Sequence, residues 1–354
     1  MNITFLIGNG FDLNLGLKTS YQDFYKYYLK QKNNDIDIRY FKKDIFDNLD
    51  NWSDAELELG KYTKNFYGNV QQFENCYNDF LSELSKYLEE EQNKVKINSS
   101  EKSISIQMDK IVDNFYTTNF LTNKSFETIN KVISSRFNEG WRFNFINFNY
   151  TNTLEQIIKT SNKTSNLIHR GSNGSNYSNF IIEPIYIHGK LNDGMVLGVD
   201  NPNQISSDAF KNDDMFKNYF IKSNAISEYG TMTTSLSKQT IESSKIICVF
   251  GMSFGDTDRT WWNTIKNWLN KEKDNQLILY IYEPDINPSS ISNFNRVKYN
   301  IYEQLFQSNI LKDQDTVKNR VHFSFNKDLF GGLRKCVSID KTKIENDSKE
   351  LVIL

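Results

Sequence analysis

The sequence predicts an α/β fold, a Rossmann-like parallel sheet with a helical insertion. Three observations predict it. Short apolar runs recur along the chain, and each stops abruptly in glycine or small polar residues. Each stop is followed by helical periodicity, which is the strand–turn–helix alternation of a doubly wound sheet. Between residues 36 and 139 the alternation lapses and helical periodicity alone continues.

The first run, Asn2–Ile7, reads as a buried strand, and Gly8-Asn9-Gly10-Phe11-Asp12 follows at once. A polar and aromatic helix is expected from about Ser20 to Lys32. Within 36–139, stretches such as Val70–Leu81 place apolar residues at i, i+3, i+4 and i+7, so a helical insertion that caps the crevice is expected there. The strand pattern resumes over Trp141–Asn149, with Thr151 or Asn152 placed to cap the next helix. Residues 161–180 are rich in Ser, Asn and Gly and read as a surface loop. Short strands are expected at Ile185–His188 and Val196–Val199, then helix over 203–244. Lys245–Gly251 is the clearest buried strand, and it leads through Ser253-Phe254-Gly255-Asp256 into a helix carrying Trp261 and Trp262, read as core. A strand at Gln276–Tyr282, a helix over 290–308 and a strand at Val321–Phe325 complete the sheet. The expected organisation is an α/β domain from residues 1–35 and 140–335, a helical cap over 36–139 and a charged, loosely held tail from 336 to 354.

Composition narrows the function. The 354 residues carry 42 Lys plus Arg against 44 Asp plus Glu, a formal net charge of −2 that supplies no general pull toward nucleic acid or an anionic membrane. With 26 Phe, 19 Tyr and only 4 Pro, the chain is built to fold. Cys76, Cys248 and Cys336 lack CxxC spacing, so they form neither a disulfide framework nor a four-cysteine zinc site. They read as buried thiols of a reducing compartment. The start of the chain has no basic n-region or small-residue cleavage site. No apolar run approaches the ~20 residues that span a bilayer. A cytoplasmic protein with no membrane partner is expected.

Ligands of open α/β sheets bind beyond the carboxyl ends of the strands. Polar constellations stand at four such ends here, after Ile7, Phe148, Ile187 and Phe250. At the first, Gly8 and Gly10 would let the backbone approach a diphosphate, with helix N–H groups offered to it. The third glycine of GxGxxG is absent, since Leu13 stands there, and no acidic residue closes a second strand about 20 residues on, so hydride-transfer chemistry is disfavoured. A tight βα turn without a ligand is the alternative. His188 ends an apolar run in Ile187-His188-Gly189 and is the histidine placed to act as a base. Alone it would read as a structural hydrogen-bonder, as His169 and His322 do. Asn149 could orient a water or a ribose hydroxyl, or cap a helix. Gly251 and Ser253 could hold phosphate, whereas Asp256 and Asp258 fit helix caps or ribose hydroxyls better. The run Glu89-Glu90-Glu91 reads as a solvated helix face. The histidine spacings match no catalytic metal motif.

Taken together, these segments resemble the abortive-infection AbiH family, a bacterial phage-defence group related to the sirtuin (SIR2-like) superfamily. The resemblance rests on Leu6-Ile7-Gly8-Asn9-Gly10-Phe11-Asp12-Leu13 with Gly16-Leu17-Lys18-Thr19-Ser20-Tyr21 and Asp23-Phe24. It continues through Phe148-Asn149-Tyr150-Thr151-Asn152-Thr153-Leu154-Glu155, Ile187-His188-Gly189 and Gly251-Met252-Ser253-Phe254-Gly255-Asp256-Thr257-Asp258. It implies a nucleotide-binding α/β domain that takes NAD⁺ or a close relative as substrate or ligand, with no cofactor. Gly8, Asn9, Gly10, Phe11 and Asp12 would occupy the place of the sirtuin Gly-Ala-Gly loop, and Asp23 would approach the nicotinamide. Asn149 falls on the asparagine of the Thr-Asn-Tyr-Asp pattern, beside Tyr150 and Thr151, and His188 on the histidine of the His-Gly pair. Gly251, Ser253 and Asp256 would complete the binding set. Thr151 replaces the aspartate of that pattern, which puts ribose or nicotinamide contacts there in question. The absent four-cysteine zinc module argues against protein deacylation.

The resemblance implies an NAD⁺ glycohydrolase in antiphage defence, with Asn149 and His188 catalytic. Such a toxic activity requires an off state, so a homo-oligomer or a gating protein partner is expected. The rival reading is a catalytically silent module that senses NAD⁺ or ADP-ribose-type nucleotides. A nuclease is disfavoured by the charge balance and the absence of a clustered metal-binding carboxylate motif.

Overall fold

The computed structural model describes residues 1–286, 290–306 and 317–340. Strand β1 (Asn2–Ile7) leads into helices α1 (Gly10–Leu15) and α2 (Tyr21–Tyr28), followed by α3 (Ile36–Asp47), α4 (Ala55–Tyr62) and α5 (Val70–Gln92). Strand β2 (Val95–Ile97) precedes α6 (Glu101–Asn114) and α7 (Asn123–Ser135). The alternation resumes with β3 (Arg142–Asn147) and α8 (Thr153–Asn162), and short strands β4 (Ile168–Arg170), β5 (Asn176–Ser178), β6 (Phe180–Ile181) and β7 (Ile185–Tyr186) come next. Helices α9 (Asp208–Lys211), α10 (Asp214–Phe220), α11 (Lys222–Glu228) and α12 (Thr233–Ser243) lead to β8 (Ile246–Phe250). The chain continues through α13 (Arg259–Lys271), β9 (Gln276–Ile281), α14 (Ile291–Phe306), β10 (Val321–Phe325) and β11 (Val337–Ile339).

The central sheet runs β10-β9-β8-β1-β3-β6, with β7 also paired to β3, and its pairings are parallel. This is the α/β, Rossmann-compatible arrangement expected. Central strands of a parallel sheet are covered on both faces, which is why β8 reads Ile-Ile-Cys-Val-Phe and is buried throughout. The chain leaves β1 toward β3 and later returns to its other side as β8. The crevice at such a reversal is where an open sheet binds ligands.

Three large apolar cores among the described residues hold these layers. One packs β1 and β3 against α6, α7 and α8, and another packs β8 and β9 against α13 and α14, with Trp261 and Trp262 inside it as expected. The third is an aromatic cluster in which Phe24, Tyr28, Phe41, Trp52, Phe73 and Phe80 from α2 to α5 meet Phe210, Phe216 and Phe220. Stretch 36–139 is therefore helical but divided: α3 to α5 build the aromatic cluster, whereas α6 and α7 cover the sheet.

Several local expectations are corrected. Val196–Val199 joins no ladder, because Val199 bonds through its N–H to the Phe220 carbonyl (2.9 Å) and receives the Lys222 N–H (2.9 Å). Its backbone is satisfied by the α10–α11 junction instead of the sheet. The 161–180 stretch contains an antiparallel hairpin of β4 and β5. Glu91 is buried and accepts the Lys18 backbone N–H at 2.9 Å and the Lys94 ammonium, so only part of the Glu89–Glu91 run is solvated. The charged tail opens with β11, paired antiparallel to β2, so its first residues are held; positions 341–354, and the expected end of the 290–308 helix, lie outside the described residues. Among the described residues, no helix is long and apolar enough to cross a membrane.

Candidate functional site

The loops beyond β1, β3, β8, β9 and β10 enclose a cavity of about 1090 Å³, at the upper end of the roughly 300–1,000 Å³ of small-molecule sites. Of the residues singled out in the sequence, Gly8, Asn9, Gly10, Asp12, Asn149, Tyr150, Thr151, His188, Gly251 and Ser253 line it. The four strand-end constellations thus meet at one place.

The glycines meet for a reason the sequence reading did not foresee. The Gly8 N–H donates to the Phe250 carbonyl and the Gly10 N–H to the Gly251 carbonyl, both at 2.9 Å. A Cβ on Gly8 would lie 2.5 Å from the Gly251 oxygen, and one on Gly251 would lie 2.6 Å from the Gly10 Cα. Gly251 also sits at φ +69°, a left-handed conformation that favours glycine. The glycines dock two βα loops backbone to backbone, and the Gly10 N–H at the start of α1 is engaged in that docking. Asn9 is committed as well: its amide donates to the Thr19 carbonyl (2.8 Å) and accepts from the Thr19 hydroxyl (2.6 Å).

Two carboxylate centres stand in the cavity wall. At the first, the Thr151 hydroxyl donates to Asp12 Oδ2 at 2.6 Å, while Asp12 Oδ1 is buried without a partner. Burial drives this carboxyl from 3.8 up to about 7, and the Thr151 bond offsets only part of that. Asn149, on the loop after β3, is buried with its Nδ2 unpartnered. Its backbone N–H donates to Asn147 Oδ1 at 3.2 Å. Asn152 holds the N-cap position of α8 but makes no capping bond.

The second centre surrounds His188. Its Nε2 lies 3.4 Å from Asp258 Oδ1, out of hydrogen-bond line and without another partner. Asp258 stands at the N-cap of α13 yet makes no capping bond; Asp200 Oδ1 takes the Thr260 N–H instead, at 3.2 Å. The Asp258 carboxylate is turned to Lys222, whose ammonium also donates to Glu56 Oε2 at 2.6 Å and to the Thr257 carbonyl at 3.0 Å. Lys222 is buried at the start of α11, and Glu56 is buried in the first turn of α4. Burial acts on every member. It would raise Asp258, but Lys222 and His188 overcome it and hold that carboxyl well below the usual range. It pushes Glu56 up against the pull of Lys222, and it would lower Lys222, which Asp258 and Glu56 instead raise.

Three of the expected residues are placed away from the cavity lining. Phe11 points into the core, edge-on to Phe330 at 5.1 Å. Asp23 accepts from Ser20 at 2.6 Å and pairs with Lys26, and Asp256 pairs with Arg259 at the surface. His169 has both ring nitrogens engaged, by Asn179 Oδ1 (3.1 Å) and the Phe137 carbonyl (3.0 Å). His322 meets Gln276 Oε1 at 2.8 Å, and burial lowers it to about 4. Both have the structural surroundings expected of them. Sequence reasoning missed Asp54, Glu56 and Tyr21, which line the cavity, and Lys222, which braces it. Asp54, Glu56 and Lys222 lie in helical or capping positions without a motif, whereas Tyr21 and Asp258 fell inside motif segments without being assigned to the site. Among the described residues, no group of three or more His, Cys, Asp or Glu could hold a metal ion.

A family model described as bacteriophage abortive infection AbiH matches residues 4–280. That match spans most of the chain, and the chain belongs to the AbiH family. No curated protein and no solved structure matches it.

Proposed function

We propose that this AbiH-family protein acts in phage abortive infection as an NAD⁺ glycohydrolase, with Asn149 and His188 as its catalytic pair. The observation that carries the proposal is that these two side chains, from different strand ends, share one nucleotide-sized cavity with a buried nitrogen of each unpartnered. Buried polar atoms are ordinarily satisfied, so the unpartnered Asn149 Nδ2 argues for a ligand, and the His188 Nε2 turned to Asp258 leaves the other ring nitrogen for one.

The chemistry follows from the lining. Breaking the nicotinamide–ribose bond builds positive charge at C1′, an oxocarbenium-like state. Asp54, Glu56 and Asp258 on the wall near His188 suit such charge. Asn149 Nδ2 would hold the ribose hydroxyl or the attacking water. The water oxygen bonds to C1′ as the C1′–N bond breaks, and that electron pair leaves on the nicotinamide nitrogen. His188 takes the proton lost by the water, a step worth typically 10²–10⁴-fold. Asp12 beside Thr151 supplies a carboxyl close to where the sirtuin pattern has its aspartate. Lys327 and Arg334, also in the lining, would face the diphosphate. The helices of the aromatic cluster would exclude bulk water, and a homo-oligomer or gating partner would keep the activity off before infection.

Following nicotinamide release from NAD⁺ by the purified protein tests this. Wild type should release nicotinamide and ADP-ribose, and His188→Ala and Asn149→Ala should each slow release at least about 100-fold. Variants that cleave as fast as wild type would remove the two residues from the mechanism. Saturable NAD⁺ binding with no turnover would mark the chain as a nucleotide sensor.

A further inference from the structure

Lys222 holds the buried carboxylate of Glu56 and the half-buried one of Asp258 with one ammonium, through contacts of 2.6 Å and 3.2 Å. As a set, the three side chains carry one uncompensated negative charge in a largely buried site. The imidazole of His188 lies 3.4 Å from Asp258, and no other described cation contacts these carboxylates. The cluster therefore becomes neutral when it gains a single proton, and His188 is the base through which the cavity can deliver one. We propose that Glu56, Lys222 and Asp258 are positioning residues that set the orientation and proton affinity of His188. The inference rests on the hydrolase reading for its purpose, but not for its test.

Geometry supports the assignment. The Nε2 edge of the ring faces Asp258, which leaves Nδ1 as the accepting nitrogen, and the ring is fixed edge-on to Phe148 at 5.6 Å. Catalytic hydrogen bonds are commonly long without ligand and tighten in the complex. The ionisable groups around His188 are Asp258, Lys222, Glu56 and Asp54, with Tyr150 and Tyr21 beyond them. Tyr150 donates to the Val196 carbonyl at 2.9 Å and stays neutral, since burial raises its hydroxyl. Tyr150 thus adds no charge to the set around Lys222. The arrangement also spans three regions of the chain, so the base is properly set only when α4, α11 and the loop before α13 are together.

The chain has three histidines, so their ring C–H resonances can be assigned by substitution and followed against pH by NMR. Asp258→Asn and the near-isosteric Glu56→Gln should each lower the His188 midpoint by about one unit, with the His169 midpoint unmoved. Lys222→Met, where it folds, should move the midpoint the other way. A merely structural role does not produce opposite shifts. The acid limb of kcat/KM for nicotinamide release should move down with the midpoint in Glu56→Gln. A His188 midpoint unmoved in both Glu56→Gln and Asp258→Asn overturns the inference, even if NAD⁺ is hydrolysed. Shifted midpoints without any hydrolysis would sustain the inference and overturn the hydrolase reading instead.

Discussion

The two carboxylate centres of the cavity differ in one component. Buried Glu56 and half-buried Asp258 surround an ammonium, and Asp258 stays ionised well below the ordinary aspartate range. Asp12 is fully enclosed but has only the Thr151 hydroxyl, and its carboxyl rises to about 7. Burial disfavours charge at both places, and the presence of a cation decides which centre keeps it. One wall of a single hollow is therefore permanently charged, while another changes charge near neutral pH.

Removing the cation is the harshest way to break this contrast. Lys222→Met would leave buried Glu56 and half-buried Asp258 without their cation, so a loss of about 3–5 kcal/mol is expected in chemical denaturation. A loss within about 0.5 kcal/mol of zero would show that Lys222 does not compensate them.

The Asp12 centre sharpens the contrast through pH. Its folded-state value lies above the unfolded 3.8, so the folded protein binds this proton more tightly. The stability it contributes is fully present below about pH 4 and is lost as pH rises through about 7. A carboxyl moved that far is worth up to about 4 kcal/mol. Asp12→Asn should flatten the stability profile between those values and make the protein relatively more stable at pH 8. A profile of unchanged slope would contradict the assignment.

The smallest effect belongs to Thr151. Its hydroxyl bond opposes the rise at Asp12, so Thr151→Val should cost about 1 kcal/mol at pH 8 and move the Asp12 titration further upward. Carbon-detected carboxyl NMR would register that movement, and a downward one would contradict it.

What the sequence disclosed follows the same physical division. Gly8, Asn149, His188 and Gly251 were legible because an apolar run that stops at a polar residue marks the mouth of a parallel sheet, whatever the rest of the chain does. The purpose of the glycines was not legible, because it lies in docking between β1 and β8, strands far apart in sequence. Glu56 and Lys222 gave no signal at all. Each occupies an ordinary helical position, and its importance arises only where α4 and α11 meet beneath His188. Phe11 shows the opposite error, since its place in a loop motif suggested a ligand contact while its apolar ring packs into the core. Val196–Val199 looked like a strand because its residues suit one, and a backbone contact with the α10–α11 junction decided otherwise.

The most direct test is to measure NAD⁺ inside cells infected with a phage that this protein restricts. Cells carrying wild type should lose NAD⁺ after infection and before lysis, and cells carrying His188→Ala at equal protein abundance should keep it. Restriction by wild type while NAD⁺ stays at the level of uninfected cells would contradict the account.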